Sequence, residues 1–236
     1  MNLISNIDGT ANDYIEIVMS LSNALSPVKS QIGNLYSFPF FKDIPADQNG
    51  DPMFFLAQVN FEEIPHFCGL PDKGILQFYI SYKNLIDPNT TEDFAIKLIA
   101  REDIDLMRLI KYPPKKLKHY PLFITPYHFN FHKRKMSVPV SENGFNDVYD
   151  EIFASREQIM EFEKEYFNRY ARNSHHQIGG LPIVMKRSSK REFSLLQLAL
   201  GNSIEFGGAL NIIFLAQDTN ISPENIKDIE CQIFWH

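Results

Sequence analysis

The chain has 236 residues, of which 44% are hydrophobic and 22% are charged. This composition is typical of a globular protein and excludes intrinsic disorder, a collagen-like fibre and a disulfide-stabilised miniprotein. Lysine and arginine number 23 against 29 aspartates and glutamates, which gives a net charge of −6. That balance disfavours a dedicated nucleic-acid-binding protein, because phosphate neutralisation needs a clustered surplus of basic side chains.

Cysteine usage and hydropathy indicate the compartment. Cys68 and Cys231 lie far apart among apolar neighbours and show no Cys-x-x-Cys spacing, so we expect buried free thiols in a reducing environment. The first residues carry no basic segment followed by an apolar one, as a secretory signal would. No window approaches the roughly 18 uninterrupted apolar residues of a membrane-spanning helix. The sequence therefore predicts a cytoplasmic protein without a membrane partner.

The first half of the chain predicts one helix followed by strands. Ile15, Val18, Met19 and Leu25 recur near the helical period, which predicts an N-terminal helix over about 10–25. Glycines and prolines punctuate 30–52 and indicate a long loop. Short apolar or alternating runs at 54–59, 74–80 and 94–100 predict three strands.

The second half predicts a strand, a helix and three more strands. Residues 120–138 alternate between apolar and polar side chains, as an extended segment does. An apolar stripe at helical spacing predicts a long helix near 143–172. Strands are expected at 193–200, 209–215 and 229–235. The predicted fold class is therefore α+β, with largely antiparallel sheets, an N-terminal helix and the long helix.

Two parts of the chain resemble each other in order and spacing. Gln-Ile-Gly at 31–33 recurs at 177–179, and strand segments align on Gln58 and Gln197. The strand at 74–80 echoes 208–214, and 94–100 echoes 229–235. We interpret this as a single domain over 1–236 with an internal repeat of about 30–100 and 176–235. The two matched glutamines are expected to bond the loop backbone of the opposite copy.

Four motifs carry a resemblance to a known family. They are Ser-Gln-Ile-Gly at 30–33, Leu-Ala-Gln at 56–58, Leu-Pro-x-x-Gly at 70–74 and His-Gln-Ile-Gly-Gly at 176–180. With them the chain resembles the bacterial YwqG-like or DUF1963 proteins over most of its length. Asn34 departs from the second glycine usual in that family. The segment 206–208 also lacks the family's tryptophan and Gly-Asp, so any role of that aspartate is absent.

The resemblance implies a mixed α+β fold with an internal duplication and a cytoplasmic location, and it brings no established activity. Some relatives occur beside secreted-toxin systems, which suggests an immunity-like role or another form of partner binding.

Catalytic signatures are missing from the sequence. It contains no phosphate-binding loop, no dinucleotide-binding glycine motif, no His-Glu-x-x-His and no Gly-x-Ser-x-Gly. His128, His132 and His176 have the chemistry of zinc ligands, and Cys68 and Cys231 that of nucleophiles, but structural roles explain these residues better. No metal and no cofactor are predicted.

Two functions remain open. The first is a non-enzymatic module that binds a protein partner, with an immunity-like role as one form of it; no nucleic-acid partner is expected, and the oligomeric state is left undetermined. The alternative is a small-molecule-binding or hydrolytic protein with a cleft between the two repeats. The residues expected to line that cleft are Gly33, Gln58, His176, Gly179, Gly180 and Gln197.

Overall fold

The structure is a computed structural model of the full chain. It describes residues 12–21, 26–33, 39–40, 44–67, 69–81, 83–84, 93–104, 110–111, 126–136, 155, 157–158, 160–161, 164, 176–180, 193–200, 209–216, 220–223 and 225–235.

Strands dominate the described residues. They are β1 (Asn12–Leu21), β2 (Gln31–Ile32), β3 (Pro39–Phe40), β4 (Phe54–Asn60), β5 (Ile75–Ile80), β6 (Phe94–Ile99), β7 (Ile110–Lys111), β8 (Tyr127–Met136), β9 (His176–Gly179), β10 (Phe193–Ala199), β11 (Ala209–Ala216) and β12 (Glu230–Trp235). Single 3-10 turns are formed by Phe61–Glu63, Arg101–Asp103 and Ile226–Asp228. The strands predicted at 54–59, 74–80, 94–100, 193–200, 209–215 and 229–235 are thereby confirmed.

The predicted N-terminal helix is wrong, because Asn12–Leu21 forms strand β1. The helical stripe included Val18, which is 45% exposed, and left out Ile17, which is 3% exposed. Burial instead alternates, with Ile15 and Ile17 in the core. β-branched residues at 15, 17 and 18 favour an extended backbone. Pairing with β8 over all ten residues then decides the conformation.

The α+β fold class is also wrong, since the described part of the chain is almost entirely β-structure and contains no long continuous helix. Within the helix predicted near 143–172, residues 157, 158, 160, 161 and 164 are helical and exposed. Apart from Ser155, the rest of that range lies outside the described residues. In the described ranges, no helix has the length and apolar character needed to cross a membrane.

Ten strands form one antiparallel sheet in the order β12-β11-β10-β9-β1-β8-β2-β4-β5-β6, and β3 pairs with β7 in a separate ribbon. This order has an internal twofold symmetry. Exchanging β1 with β8 also exchanges β2 with β9, β4 with β10, β5 with β11 and β6 with β12. We refer to β1, β2, β4, β5 and β6 as the first half, and to β8–β12 as the second half.

The register of the strands follows the same symmetry. Gln31 lies opposite Gln58 in the first half, and Gln177 lies opposite Gln197 in the second. The bulges match as well, because one falls between Phe55 and Ala57 and the other between Ser194 and Leu196. The pseudo-twofold axis passes through the middle of the β1–β8 pair, where Val18 lies opposite Asn130. The symmetry supports an internal duplication, which remains a prediction.

The ends of the sheet bend towards each other around the main core. Phe214 of β11 contacts Phe78 of β5, with ring centroids 4.7 Å apart, and Phe94 of β6, with centroids 5.8 Å apart. β6 also touches the 3-10 turn Ile226–Asp228 that precedes β12. Both halves therefore contribute to one apolar cluster on the inner face of a nearly closed sheet.

Substitutions at two adjacent residues of β1 distinguish the strand from the predicted helix. We expect Ile17→Ala to lower the free energy of unfolding by about 2–5 kcal/mol, because it removes buried side-chain volume. Val18→Ala should change it by less than about 0.5 kcal/mol, since the Val18 side chain is exposed. Urea denaturation measures both values, and a larger loss for Val18→Ala would contradict the strand assignment.

Candidate functional site

The six residues predicted to line a cleft fall into two groups. Gly33 and Gln58 belong to the first half, at the end of β2 and within β4. His176, Gly179, Gly180 and Gln197 belong to the second half, on or next to β9 and β10. β1 and β8 lie between β9 and β2 in the sheet. The structure thus brings together the members of each group, and two strands separate the groups.

Gln58 is the centre of a buried hydrogen-bond chain on the outer face, the side of the sheet turned away from the main core. The Tyr79 hydroxyl donates to Gln77 Oε1 at 2.7 Å, and Gln77 Nε2 donates to Gln58 Oε1 at 2.8 Å. Gln58 Nε2 then donates to the carbonyl oxygens of Pro27 and Lys29, each at 3.0 Å. Because these side chains are buried, each amide group needs such partners.

Hydrogen bonds from β2 and β4 also fix the loop that precedes β2. Gln31 Nε2 donates to the Ser26 carbonyl, and Asn60 Nδ2 donates to the Val28 carbonyl. The Ser30 amide donates to Glu63 Oε2 at 2.7 Å. With the two bonds from Gln58, the carbonyls of residues 26–29 are all held from β2 and β4. The prediction that Gln58 reaches the loop of the opposite copy is wrong, since its loop belongs to the same half.

His176 has a structural partner that matches one in the first half. The Ala199 amide at the end of β10 donates to His176 Nδ1 at 3.0 Å. At the symmetric position, the Asn60 amide at the end of β4 donates to Ser30 Oγ at 2.8 Å. His176 and Ser30 each precede the matched Gln-Ile pair, so both side chains accept the last amide of the neighbouring strand. An accepting Nδ1 carries no proton.

Gly179 marks a close contact between the halves. A Cβ built on this residue would lie 2.5 Å from Cζ of Phe67, which belongs to the first half. Its φ of +73° equals that of the symmetric Gly33, and Gly180 follows with a φ of +65°. Phe67 also packs on Phe193 at a centroid distance of 6.0 Å. Glycine at 179 therefore serves both a left-handed backbone and the approach of an aromatic ring.

Gln197 is the symmetric counterpart of Gln58 and is buried. It lies opposite Gln177, whose Nε2 donates to the Gly179 carbonyl at 3.1 Å. Side chains in both groups are thus engaged in holding strands and turns. Ligand binding by the six residues, in a cleft or otherwise, remains a prediction.

The candidates for metal or nucleophilic chemistry do not assemble in the described part of the chain. His128 and His132 alternate with the core residues Phe129 and Phe131, whereas His176 lies on the same face as the core residue Ile178. These imidazoles therefore point to opposite faces of the sheet. The described residues contain no group of three or more potential metal ligands.

Cys231 lies in the main core. Burial raises the pKa of its thiol, and the neighbouring Glu230 carboxylate raises that pKa further. A raised pKa leaves little thiolate, the form that acts as a nucleophile. Cys68 lies outside the described residues.

Sequence reasoning missed an exposed face at the middle of the sheet, because it predicted a helix for β1. We call this the central face and define it by Val18, Ser20, Asn130, His132 and Arg134, all exposed. β2, β4, β5 and β10 are buried along their whole length. The alternation of polar and apolar residues in β8 was the available signal for half of this face.

A substitution at His176 tests its role as a hydrogen-bond acceptor. We expect His176→Ala to lower the free energy of unfolding by about 1–3 kcal/mol, because the Ala199 amide loses its partner. Ser30→Ala should cost a similar amount. His176→Asn should recover much of the loss, since an amide oxygen can take the place of Nδ1. Urea denaturation measures these values. If His176→Ala and His176→Asn lower the free energy of unfolding equally, the hydrogen-bond acceptor at residue 176 does not account for the loss.

Comparison with known proteins gives a family and no activity. No curated protein matches the sequence. The model of one family, described as a domain of unknown function (DUF1963), matches residues 30–230. The match contains every strand from β2 to β11 and ends at Glu230, the first residue of β12. It therefore contains both groups of matched residues described above. The chain therefore belongs to the DUF1963 family.

Proposed function

We propose that the protein is a non-enzymatic, cytoplasmic interaction module whose central face binds an acidic segment of a partner protein. The observation that carries the proposal is the exposure of this face in a sheet whose flanking strands are covered on both sides. An open sheet face presents its side chains at fixed, regular positions, which allows a partner protein to contact several of them at once. An immunity-like role, with a toxin as the partner, is one form of this function.

Charge is the reason for proposing an acidic segment. Residues 132–135 are His, Lys, Arg and Lys, and all are exposed. Only His132 and Arg134 lie on the central face, because Lys133 and Lys135 alternate with them along β8. Arg134 pairs with Glu16 at 2.9 Å, but the Arg134 side chain is 48% exposed and that of Glu16 only 15%. Lys133 pairs with Asp13 at 2.9 Å. The central face therefore exposes more of the Arg134 cation than of the Glu16 carboxylate paired with it, in a protein whose overall charge is −6. Carboxylates on a partner would complement that charge.

The geometry of the central face allows further contacts at its middle. Val18 is 45% exposed and lies beside Asn130, whose Nδ2 donates to the Val18 carbonyl and to Ser20 Oγ. These bonds fix the Asn130 amide to β1. An apolar side chain flanked by polar groups has the arrangement of a protein interface, in which an apolar centre is surrounded by a polar rim.

Charge substitutions at residue 18 test the proposal. We expect Val18→Glu to reduce retention of a stoichiometric partner from lysate of the source organism by at least about tenfold, because it places a carboxylate opposite an acidic segment. Val18→Lys introduces a side chain of similar size to that in Val18→Glu but of opposite charge, and it should retain the partner. Retention of the partner by the unaltered protein should fall as the salt concentration rises. Binding is measured by quantitative pull-down and then with the purified partner.

Lys164→Glu is the matched control, since Lys164 is exposed and lies outside the sheet. It should leave retention unchanged. Equal loss for Val18→Glu, Val18→Lys and Lys164→Glu, or retention that no substitution on the central face alters, would contradict the proposal. A partner with no acidic segment would contradict it as well.

A further inference from the structure

The C-terminal part of β8 has an open strand edge. On one side, β8 pairs with β1 over all ten of its residues. On the other side it pairs with β2 at 127–128, and the Phe129 amide donates to the Ser30 carbonyl at 3.0 Å. Beyond Phe129, none of the described residues pairs with that side of β8. Residues 132–135 are all exposed, so this part of the strand is accessible. We call 130–136 the free edge of β8.

The loop before β2 does not cover the free edge. If β2 continued towards the N-terminus in the same register, residues 27–29 would lie beside 130–132 of β8. They bend instead towards β4, which lies on the other side of β2. There, Gln58 and Asn60 of β4 donate hydrogen bonds to the carbonyl oxygens of all three loop residues. The buried polar side chains of β4 therefore hold this loop away from β8.

Alternate residues of the free edge direct their backbone groups away from β1. In an antiparallel sheet, the N–H and C=O groups of successive residues face opposite neighbouring strands. Because the Phe129 amide bonds to Ser30 on the side of β2, the backbone groups of Phe131, Lys133 and Lys135 face that same side. These residues present three donors and three acceptors, on which another extended chain can pair as a strand.

The side chains of the free edge indicate which kind of strand it accepts. Lys133, Arg134 and Lys135 are consecutive cations. The carboxylates that pair with Lys133 and Arg134 belong to Asp13 and Glu16 of β1, on the opposite side of β8. Pairing with β8 of a second copy would bring like charges together, which destabilises a sheet. Aspartates and glutamates on an added strand would face cations instead.

We propose that an acidic, extended segment binds to the free edge of β8 as an added β-strand, with backbone hydrogen bonds to Phe131, Lys133 and Lys135. This inference rests on the proposed function, because it gives the conformation in which the partner's acidic segment binds. His132 and Arg134 belong both to the free edge and to the central face. Alternate side chains of the added strand therefore lie next to the central face.

Two synthetic peptides test the backbone pairing without a change to the protein. One is a capped octapeptide in which glutamate and threonine alternate, and the other has the same sequence with its two central amides N-methylated. Methylation keeps the charge but removes one donor from each edge of the peptide. We expect the unmethylated peptide to bind the full chain at least about tenfold more tightly in calorimetry at physiological salt. Equal affinities, or no binding of either peptide at millimolar concentration, would overturn the proposal.

Two substitutions at Lys133 separate the backbone of β8 from its charge. Lys133→Pro and Lys133→Ala both remove the cation, but only proline also removes the N–H on the free edge. The hydrogen bonds to β1 come from the neighbouring residues, so proline is tolerated at this edge position. We expect Lys133→Pro to bind the unmethylated peptide at least about tenfold more weakly than Lys133→Ala does. Equal binding by the two variants would overturn the added strand.

Amide hydrogen exchange of the unaltered protein gives a readout that does not depend on how the variants fold. Without peptide, the amides of Phe131, Lys133 and Lys135 should exchange faster than those of His132 and Arg134, which face β1. The unmethylated peptide should slow the exchange of the first three amides. Unchanged exchange at all three in the presence of saturating peptide would overturn the proposal.

Failure of this inference is distinguishable from failure of the proposed function. The Val18 substitutions test binding of the lysate partner to the central face, whatever the conformation of its acidic segment. Equal binding of the two peptides would overturn the added strand and leave that test unaffected. A lysate partner insensitive to every substitution on the central face would overturn the proposed function, whatever the peptides do.

Discussion

The pairing of β1 with β8 is the constraint on which the rest of the sheet depends. β1 belongs to the first half but pairs with β9 of the second, and β8 pairs with β2 of the first. Neither half can therefore complete its own sheet, since each supplies the strand that connects the other half to the centre. The ten paired residues of β1 and β8 hold Gln31 and Gln177 at symmetric positions beside them. The joined sheet brings residues of both halves into one apolar core.

The symmetry of the backbone makes the differences between the halves informative. Where the two halves keep the same group, as at Gln58 and Gln197, the residue lies buried and serves the sheet. Where they keep the same role with another side chain, as at Ser30 and His176, the hydrogen bond has been preserved and the histidine needs no catalytic explanation. Where they differ in polarity, as at Ile75 and Asn211, the same buried sheet position holds an apolar side chain in one half and an amide in the other. Function is better sought on the central face than at the matched motifs.

Much of the architecture could be predicted from local sequence, and the errors at β1 and at the candidate site have one cause. Alternation and turn residues located β4, β5, β10, β11 and β12, and matched motifs indicated the repeat. β1 was assigned to a helix because four apolar residues fit the helical period, while the partner strand that buries Ile17 lies more than a hundred residues away. The sequence also did not predict that the six candidate residues fall into two separate groups, and the reason is again the long-range pairing of β1 with β8. Spacing along the chain identified Gln58 and Gln197 as equivalent. It could not show that β1 and β8 lie between them in the sheet, because that order depends on the pairing of β1 with β9 and of β8 with β2.

A pair of engineered cysteines tests this central pairing most directly. Directly opposite residues of antiparallel strands have Cα atoms about 4.5–5.5 Å apart, within the range of a disulfide, whereas diagonal neighbours are about 7–8 Å apart. In a chain with Cys68→Ser, we expect Val18→Cys with Asn130→Cys to form a disulfide under mild oxidation, measured by the loss of free thiols and by non-reducing electrophoresis. Val18→Cys with His132→Cys should remain reduced. A disulfide in the second pair but not in the first, or in neither, would contradict the exchanged ten-stranded sheet.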